Sequence, residues 1–135
     1  MTIIAVTRLR LRDVSFQDDF FNAALASLEQ AKTADGATGS DAFADAGNVW
    51  WTVTAWCDRA AMASFVGSEP HASILGHLDE WCDEASFVDW EQDGADLPDW
   101  HTSYERLVAD GTSSPLTHGT AANAARAFPA PVDAN

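Results

Sequence analysis

The chain has 135 residues, which is enough for one domain with a hydrophobic core but too few for two domains of ordinary size. Its apolar fraction of 47%, with six Trp and seven Phe, is typical of a packed domain and argues against a disordered chain. The 21 acidic residues against seven basic ones give a net charge of −14, which argues against nucleic acid and anionic lipid surfaces as partners.

The first half of the chain predicts one strand, one helix and two further strands. Residues 3–12 alternate apolar side chains with arginines, as in a strand with two different faces. Ser15 fits a helix N-cap, and apolar residues then recur at helical spacing to about Lys32. A weak strand is expected over 40–44. Aromatic and β-branched residues fill both sides of 49–57, so this strand should be central in its sheet and covered on both faces.

The second half predicts three helices and a last strand. Asp58 is expected to cap a short helix that ends at Gly67. A second helix follows, with Pro70 in its first turn, and ends at Trp81 or Cys82. The last strand is expected over 85–90 and a further helix over 97–109.

This element order predicts an α+β fold with a ferredoxin-like antiparallel sheet and helices on one face. Residues 1–110 are expected to form the domain, and residues 111–135 an extended or mobile tail with little periodicity. Because the strand over 49–57 is apolar on both sides, the other sheet face needs a cover. A second subunit is the simplest source, so we expect a homodimer through the sheet faces.

Three motifs support a more specific fold. They are WTVTAWCD at 51–58, AMASF at 61–65 and SEPH at 68–71. In this order and spacing they resemble the antibiotic biosynthesis monooxygenase-like superfamily of dimeric α+β barrels, with the closest likeness to uncharacterised small proteins related to spheroidene monooxygenase. The resemblance covers about residues 2–110. It implies a homodimer with a pocket between sheet and helices in each subunit.

The resemblance also limits the function. Characterised relatives oxygenate aromatic or polyene substrates without a cofactor, or bind and degrade haem. The haem-degrading branch relies on an Asn in the first strand, whereas the first strand here offers Thr2, Thr7 and arginines. Two functions therefore remain: a monooxygenase-like protein acting on a small aromatic or polyene ligand, and a non-catalytic dimeric binding module for a hydrophobic ligand or haem. The cofactor is either none or haem.

His71 is the candidate catalytic residue. At 100° per residue it shares one side of its helix with Ile74 and Leu78, whereas His77 points away. The positive dipole end at the first turn disfavours the imidazolium form, and a neutral imidazole can accept a proton, bind a hydroxyl or ligate iron. The alternative is a buried histidine bonded to a backbone carbonyl or a carboxylate.

Four further residues are candidate ligand contacts. Trp51 and Trp56 either line an aromatic pocket or fill the core and the dimer interface. They have opposite strand parity, so at most one of them should face the helices. Phe65 lies on the buried side of the short helix. Arg8 shares a strand face with two other arginines, which either bind a carboxylate-bearing ligand or pair with the acidic residues.

Neither cysteine suggests a metal or redox site. Cys57 and Cys82 do not have the spacing of metal ligands, so no metal is predicted and both are expected to be buried thiols. The chain lacks a run of about 20 apolar residues, and the arginines near its start are unlike a signal peptide. We therefore expect a cytoplasmic protein.

The charge pattern predicts salt-dependent stability. Lys32 is the one lysine, and Asp outnumbers Glu fifteen to six, which suggests adaptation to a salt-rich cytoplasm. The alternative is an ordinary acidic surface. Molar salt shortens the Debye length to about 3 Å and screens the repulsion between carboxylates. Raising KCl to molar concentration should increase the melting temperature by roughly 5 °C or more, measured by circular dichroism. A melting temperature that does not rise with salt would contradict this prediction.

Overall fold

The computed structural model of the protein describes residues 1–132, which form one five-stranded antiparallel sheet and its covering helices. The strand order is β2-β3-β1-β4-β5, and every neighbouring pair is antiparallel. The predicted ferredoxin-like α+β fold is confirmed. The strands are β1 (Thr2–Leu11), β2 (Ala37–Asp45), β3 (Val49–Trp56), β4 (Cys82–Gln92) and β5 (Thr112–Ser113).

The helices follow the predicted order, and one short helix is added near the C-terminus. They are α1 (Gln17–Thr33), α2 (Arg59–Val66), α3 (His71–Trp81), α4 (Trp100–Asp110) and α5 (Ala121–Ala125), with a 3-10 turn at Val14–Phe16 before α1. β4 is longer than predicted because it pairs with β1 from the Leu11–Cys82 pair to the Thr2–Gln92 pair.

Aspartates determine where several helices begin. Asp58 accepts a hydrogen bond from the backbone N–H of Ala61, as predicted for the N-cap of α2. Asp99 caps α4 in the same way, so this helix begins at Trp100 and not at residue 97. Before α1, the carboxylate of Asp13 accepts the N–H of Ser15 and caps the 3-10 turn, so Ser15, the N-cap that the sequence suggested, lies inside that turn, and α1 itself begins without a side-chain cap.

Helices α1, α2 and α3 cover one face of the sheet. Two apolar clusters lie beneath them, one around Phe20 and Trp81 and the other around Trp56 and Phe65. In the first cluster the rings of Phe20 and Trp81 meet edge to face, with centroids 6.1 Å apart. This helical layer positions His71 above the sheet.

Helix α4 and Phe128 cover the opposite sheet face. Trp100 and Leu107 of α4 pack with Trp51 and with apolar side chains of β1, β3 and β4, all of them buried. The uncovered face that suggested a second subunit is therefore filled by the chain itself. A homodimer through the sheet faces stays a prediction, but the need to cover this face no longer supports it.

The sequence suggested an extended or mobile tail after residue 110. In the described part, which ends at residue 132, this segment packs against β4. β5 pairs with β4, and Asn123 is 4% exposed. The Asn123 side-chain oxygen accepts the N–H of Ala85, and its amide group donates to the Ser114 carbonyl. Residues 133–135 of the predicted tail lie outside the described residues.

A buried ion pair joins the first and last long strands under this cover. Nη1 of Arg8 lies 2.7 Å from Oε1 of Glu84, with 3% and 7% of the two side chains exposed. Arg10 contacts the other Glu84 oxygen at 2.9 Å. The Arg8 guanidinium also lies over the ring of Phe128, 4.4 Å from its centroid. Burial opposes ionisation of Glu84, but the hydrogen bonds from both arginines outweigh it and lower the pKa of its carboxyl group.

Substituting Glu84→Gln should destabilise the fold by about 3–5 kcal/mol at neutral pH, because it leaves the buried Arg8 charge without its counter-charge. Urea unfolding of the variant and the wild type measures the difference. The folded-state pKa of Glu84 is below its usual 4.5, so the ion pair stabilises the fold above that value and is lost as pH falls through the folded-state pKa. The gap between the two proteins should therefore shrink in acid.

Glu91→Gln is the matched control on the same strand. Glu91 lies 3.8 Å from Arg59, and both side chains are more than half exposed, so the loss should stay below about 1 kcal/mol. Equal losses of unfolding free energy in the two variants would show that burial of the ion pair between Arg8 and Glu84 does not increase its contribution to stability.

Candidate functional site

A cavity of about 370 Å³ lies between the sheet and the helical layer formed by α1, α2 and α3. This volume is within the range of small-molecule sites, and the walls are mainly apolar. The side chains that line it come from both layers: Ala5, Thr7, Leu9, Phe20, Ala24, Leu28, Thr52, Thr54, Met62, Phe65, Val66, His71, Ile74, Leu75, Leu78, Phe87 and Asp89 among them.

His71 lies at the wall of this cavity as the first residue of α3. Its Nδ1 is 3.1 Å from the carbonyl oxygen of Val66, so in the neutral ring Nδ1 carries the proton and donates it to this oxygen. Nε2 is then the acceptor nitrogen. Across residues 1–132, no protein group makes a hydrogen bond to Nε2.

Burial supports the neutral form of His71. Burial lowers the pKa of the imidazole below its usual 6.5, and the hydrogen bond to the Val66 carbonyl offsets this only in part. The ring also packs on Phe65, with centroids 4.6 Å apart. His77 is exposed and stacks on Trp81, as its predicted outward direction requires.

Gln30 of α1 fixes the start of α3, a role that the sequence analysis missed. Its side-chain oxygen accepts the backbone N–H of His71 at 2.8 Å. Its amide group donates to the carbonyls of Phe65 and Ser68, at 3.3 and 3.2 Å. One side chain thus ties α1 to both ends of the connection between α2 and α3. No spacing rule marks such a glutamine, because its partners are backbone groups more than 30 residues away.

The predicted ligand contacts separate onto two faces of the sheet. Phe65 lines the cavity beside His71. Trp56 lies on the same face, fully buried behind Phe65 with ring centroids 4.9 Å apart. Trp51 lies on the opposite face against Trp100, and Arg8 lies there too, in the ion pair with Glu84. The parity argument is therefore confirmed, with Trp56 facing the helices.

Three threonines of the sheet supply hydroxyl groups to the cavity. Thr7 of β1 stands opposite Thr52 of β3, and Thr54 follows two residues along β3. The strand parity already contained this information, since Thr52 and Thr54 alternate with the residues of the opposite face.

The charges at the cavity are few. Among the lining residues in the described part of the chain, His71 and Asp89 are the ionisable ones. Asp89 is exposed at the rim and accepts a hydrogen bond from Arg59 of α2 at 2.7 Å. No arginine or lysine in residues 1–132 contributes to the lining, so the cavity favours an uncharged ligand.

Haem does not match these side chains. Nε2 of His71 is a suitable iron ligand, but haem propionates need cationic partners. Arg8 is on the other sheet face, and Arg59 is already paired with Asp89. Within residues 1–132, no three His, Cys, Asp or Glu side chains cluster closely enough to hold a metal ion.

The two cysteines differ in environment. Cys82 is buried, and burial raises the pKa of its thiol to about 12, so it is unreactive at neutral pH. Cys57 is exposed, unlike the buried thiol that the sequence suggested, and borders a wider, more open depression of about 510 Å³ beside Gly36 and Gln30.

Every helix in the described part is too short or too polar to cross a membrane.

No protein-family model and no curated protein matches the sequence. Solved structures match the fold. Rv0793 of Mycobacterium tuberculosis has a TM-score of 0.63 at 14% identity, over 70% of this chain and 97% of that one. A protein described as antibiotic biosynthesis monooxygenase has a TM-score of 0.60 at 13% identity, over 68% of this chain and 99% of that one.

A variant of SnoaB, a cofactor-independent oxygenase from Streptomyces nogalater, has a TM-score of 0.57 at 9% identity, over 69% of this chain and 94% of that one. At such identities the likeness concerns the fold alone. The resemblance suggested by the sequence motifs is confirmed at that level: the chain has the fold of the antibiotic biosynthesis monooxygenase-like proteins.

Proposed function

We propose that the protein is a cofactor-independent oxygenase that acts on a small, uncharged aromatic or polyene molecule in the cavity under α3. The observation that supports this most is the position of His71, a neutral imidazole with a free acceptor nitrogen at the wall of an apolar cavity. The description of SnoaB as a cofactor-independent oxygenase adds support by analogy of fold.

The chemistry asked of His71 is proton removal. Nε2 accepts a proton from an O–H or activated C–H group of the ligand, and the resulting anion is electron-rich enough to pass electrons to molecular oxygen. The ligand itself supplies the electrons, so no redox cofactor is required. The Val66 carbonyl, which accepts the Nδ1–H, stabilises the imidazolium that forms. The apolar walls keep water from the anion.

Replacing His71 with Ala should lower oxygen-dependent turnover about a hundredfold or more, the usual contribution of a positioned base, while the fold persists. Oxygen uptake with polyphenol and polyene substrates measures turnover, and circular dichroism monitors the fold. His77→Ala is the matched control, a histidine on the outer side of the same helix, and should leave turnover unchanged. If His71→Ala lost stability but retained turnover per folded molecule, His71 would be a structural histidine.

The pH profile of turnover should have an acidic limb that depends on His71. Because the pKa of the buried imidazole lies below 6.5, Nε2 stays free at neutral pH and is protonated only in more acidic solution. The same group makes the fold less stable as pH falls below 6.5, since the unfolded chain then binds the proton more readily. Turnover per folded molecule, with folding checked at each pH, separates the two effects.

The alternative is a binding module that holds the same ligand without turnover. The apolar cavity supports this function as well, because its walls can hold an uncharged ligand without any reaction. His71, the one neutral base in the described lining, would then only accept a hydrogen bond. Ligand binding without oxygen uptake would favour the binding module over the oxygenase. A Soret band on adding haem that is lost in His71→Ala would contradict both the mismatch with haem and the cofactor-free mechanism.

A further inference from the structure

Thr54 stands out among the cavity hydroxyls because its oxygen already accepts a hydrogen bond. Nε1 of Trp56, two residues along the same face of β3, donates to Oγ1 of Thr54 at 2.8 Å. Trp56 is fully buried, and its indole nitrogen is a donor only. The direction of this hydrogen bond is therefore fixed.

This hydrogen bond leaves the Thr54 hydroxyl as a donor toward any further partner. A hydroxyl has one proton and two lone pairs, and the indole uses a lone pair, so the proton points away from Trp56. In the part of the chain that the structure describes, no acceptor takes this proton. Thr54 lines the cavity, so the proton is available to a molecule bound there.

The donor and the acceptor of the cavity are linked through a row of aromatic rings. The rings of Trp56, Phe65 and His71 form a continuous row, with successive centroids 4.9 and 4.6 Å apart. Thr54 is bonded to the first ring of this row, and Nε2 belongs to the last. Thr54, Phe65 and His71 all line the cavity, so a single ligand has both a donor and an acceptor within its walls.

We propose that Thr54 is a specificity-determining residue that donates a hydrogen bond to an oxygen atom of the ligand, with Trp56 as the positioning residue that keeps its hydroxyl a donor. The inference rests on the proposed function and deepens it. The ligand is then an uncharged aromatic molecule with a carbonyl-type oxygen, and that oxygen binds at Thr54 while a hydroxyl or acidic C–H group approaches His71. A purely hydrocarbon polyene would leave both groups without partners.

Three naphthalenes of similar size test the proposal: 2-acetylnaphthalene offers an acceptor, 2-naphthol offers a donor as well, and 2-ethylnaphthalene offers neither. Binding is measured by calorimetry. The wild type should bind 2-acetylnaphthalene about tenfold more tightly than 2-ethylnaphthalene, the usual effect of one neutral hydrogen bond in an apolar site. Thr54→Val should remove this preference, and Thr54→Ser should retain it.

Matched variants separate recognition from structure. Thr52→Val removes a neighbouring cavity hydroxyl that lacks the indole contact, and it should keep the preference. If Thr54→Val is unstable because the Trp56 N–H loses its acceptor, the double variant Thr54→Val with Trp56→Phe removes donor and acceptor together and should also bind the two probes equally. Trp56→Phe alone should weaken the preference by freeing the hydroxyl to rotate.

Each outcome gives a decision. Equal weakening of all three probes by Thr54→Val, or a preference that survives in it, would overturn the role of Thr54 and leave the oxygenase proposal standing. Failure of every probe to bind the wild type would contradict both proposals. If Thr52→Val lost the preference and Thr54→Val kept it, Thr52 and not Thr54 would be the donor.

Discussion

Strand β3 has aromatic and β-branched residues on both sides, and this constraint organises the whole molecule. Its two sets of alternating residues require separate covers, because neither set can face water at acceptable cost. Helices α1, α2 and α3 bury one set, and α4 with Phe128 buries the other. The second cover is dense, with Trp51 fully buried, whereas the first leaves a cavity. A candidate site therefore exists on one face and a closed core on the other.

The polar groups follow the same division. The closed face contains a charged network, in which the Arg8 guanidinium and the Glu84 carboxylate form an ion pair under the ring of Phe128. The open face contains neutral groups: threonine hydroxyls, and an imidazole whose pKa is lowered by burial. The sheet thus separates a structural charge pair from groups that are suited to meet an uncharged ligand. The reactive and the stabilising polar residues do not compete for partners.

Much of the fold could be predicted from the sequence because its signals are local. The alternation in β3 and the cap at Asp58 depend on neighbours along the chain, and the inward direction of His71 depends on helical spacing. The role of Arg8 could not be decided in this way, since Glu84 is 76 residues distant. The cover by Phe128 was missed for the same reason, because short segments without periodicity, such as those near Asn123, are held by contacts that spacing does not encode.

The position of Phe128 over Arg8 links almost the whole length of the chain. β1 is made well before Phe128, so one of its faces stays open until that later residue has been made. The ion pair of Arg8 also cannot form until Glu84 of β4 has been made. The closed core therefore cannot be completed until the ribosome has added Phe128, although the layer of α1, α2 and α3 can assemble earlier. A nascent chain stalled before Phe128 would leave the sheet face around Arg8 without this cover, which makes the segment around Phe128 a determinant of solubility during synthesis.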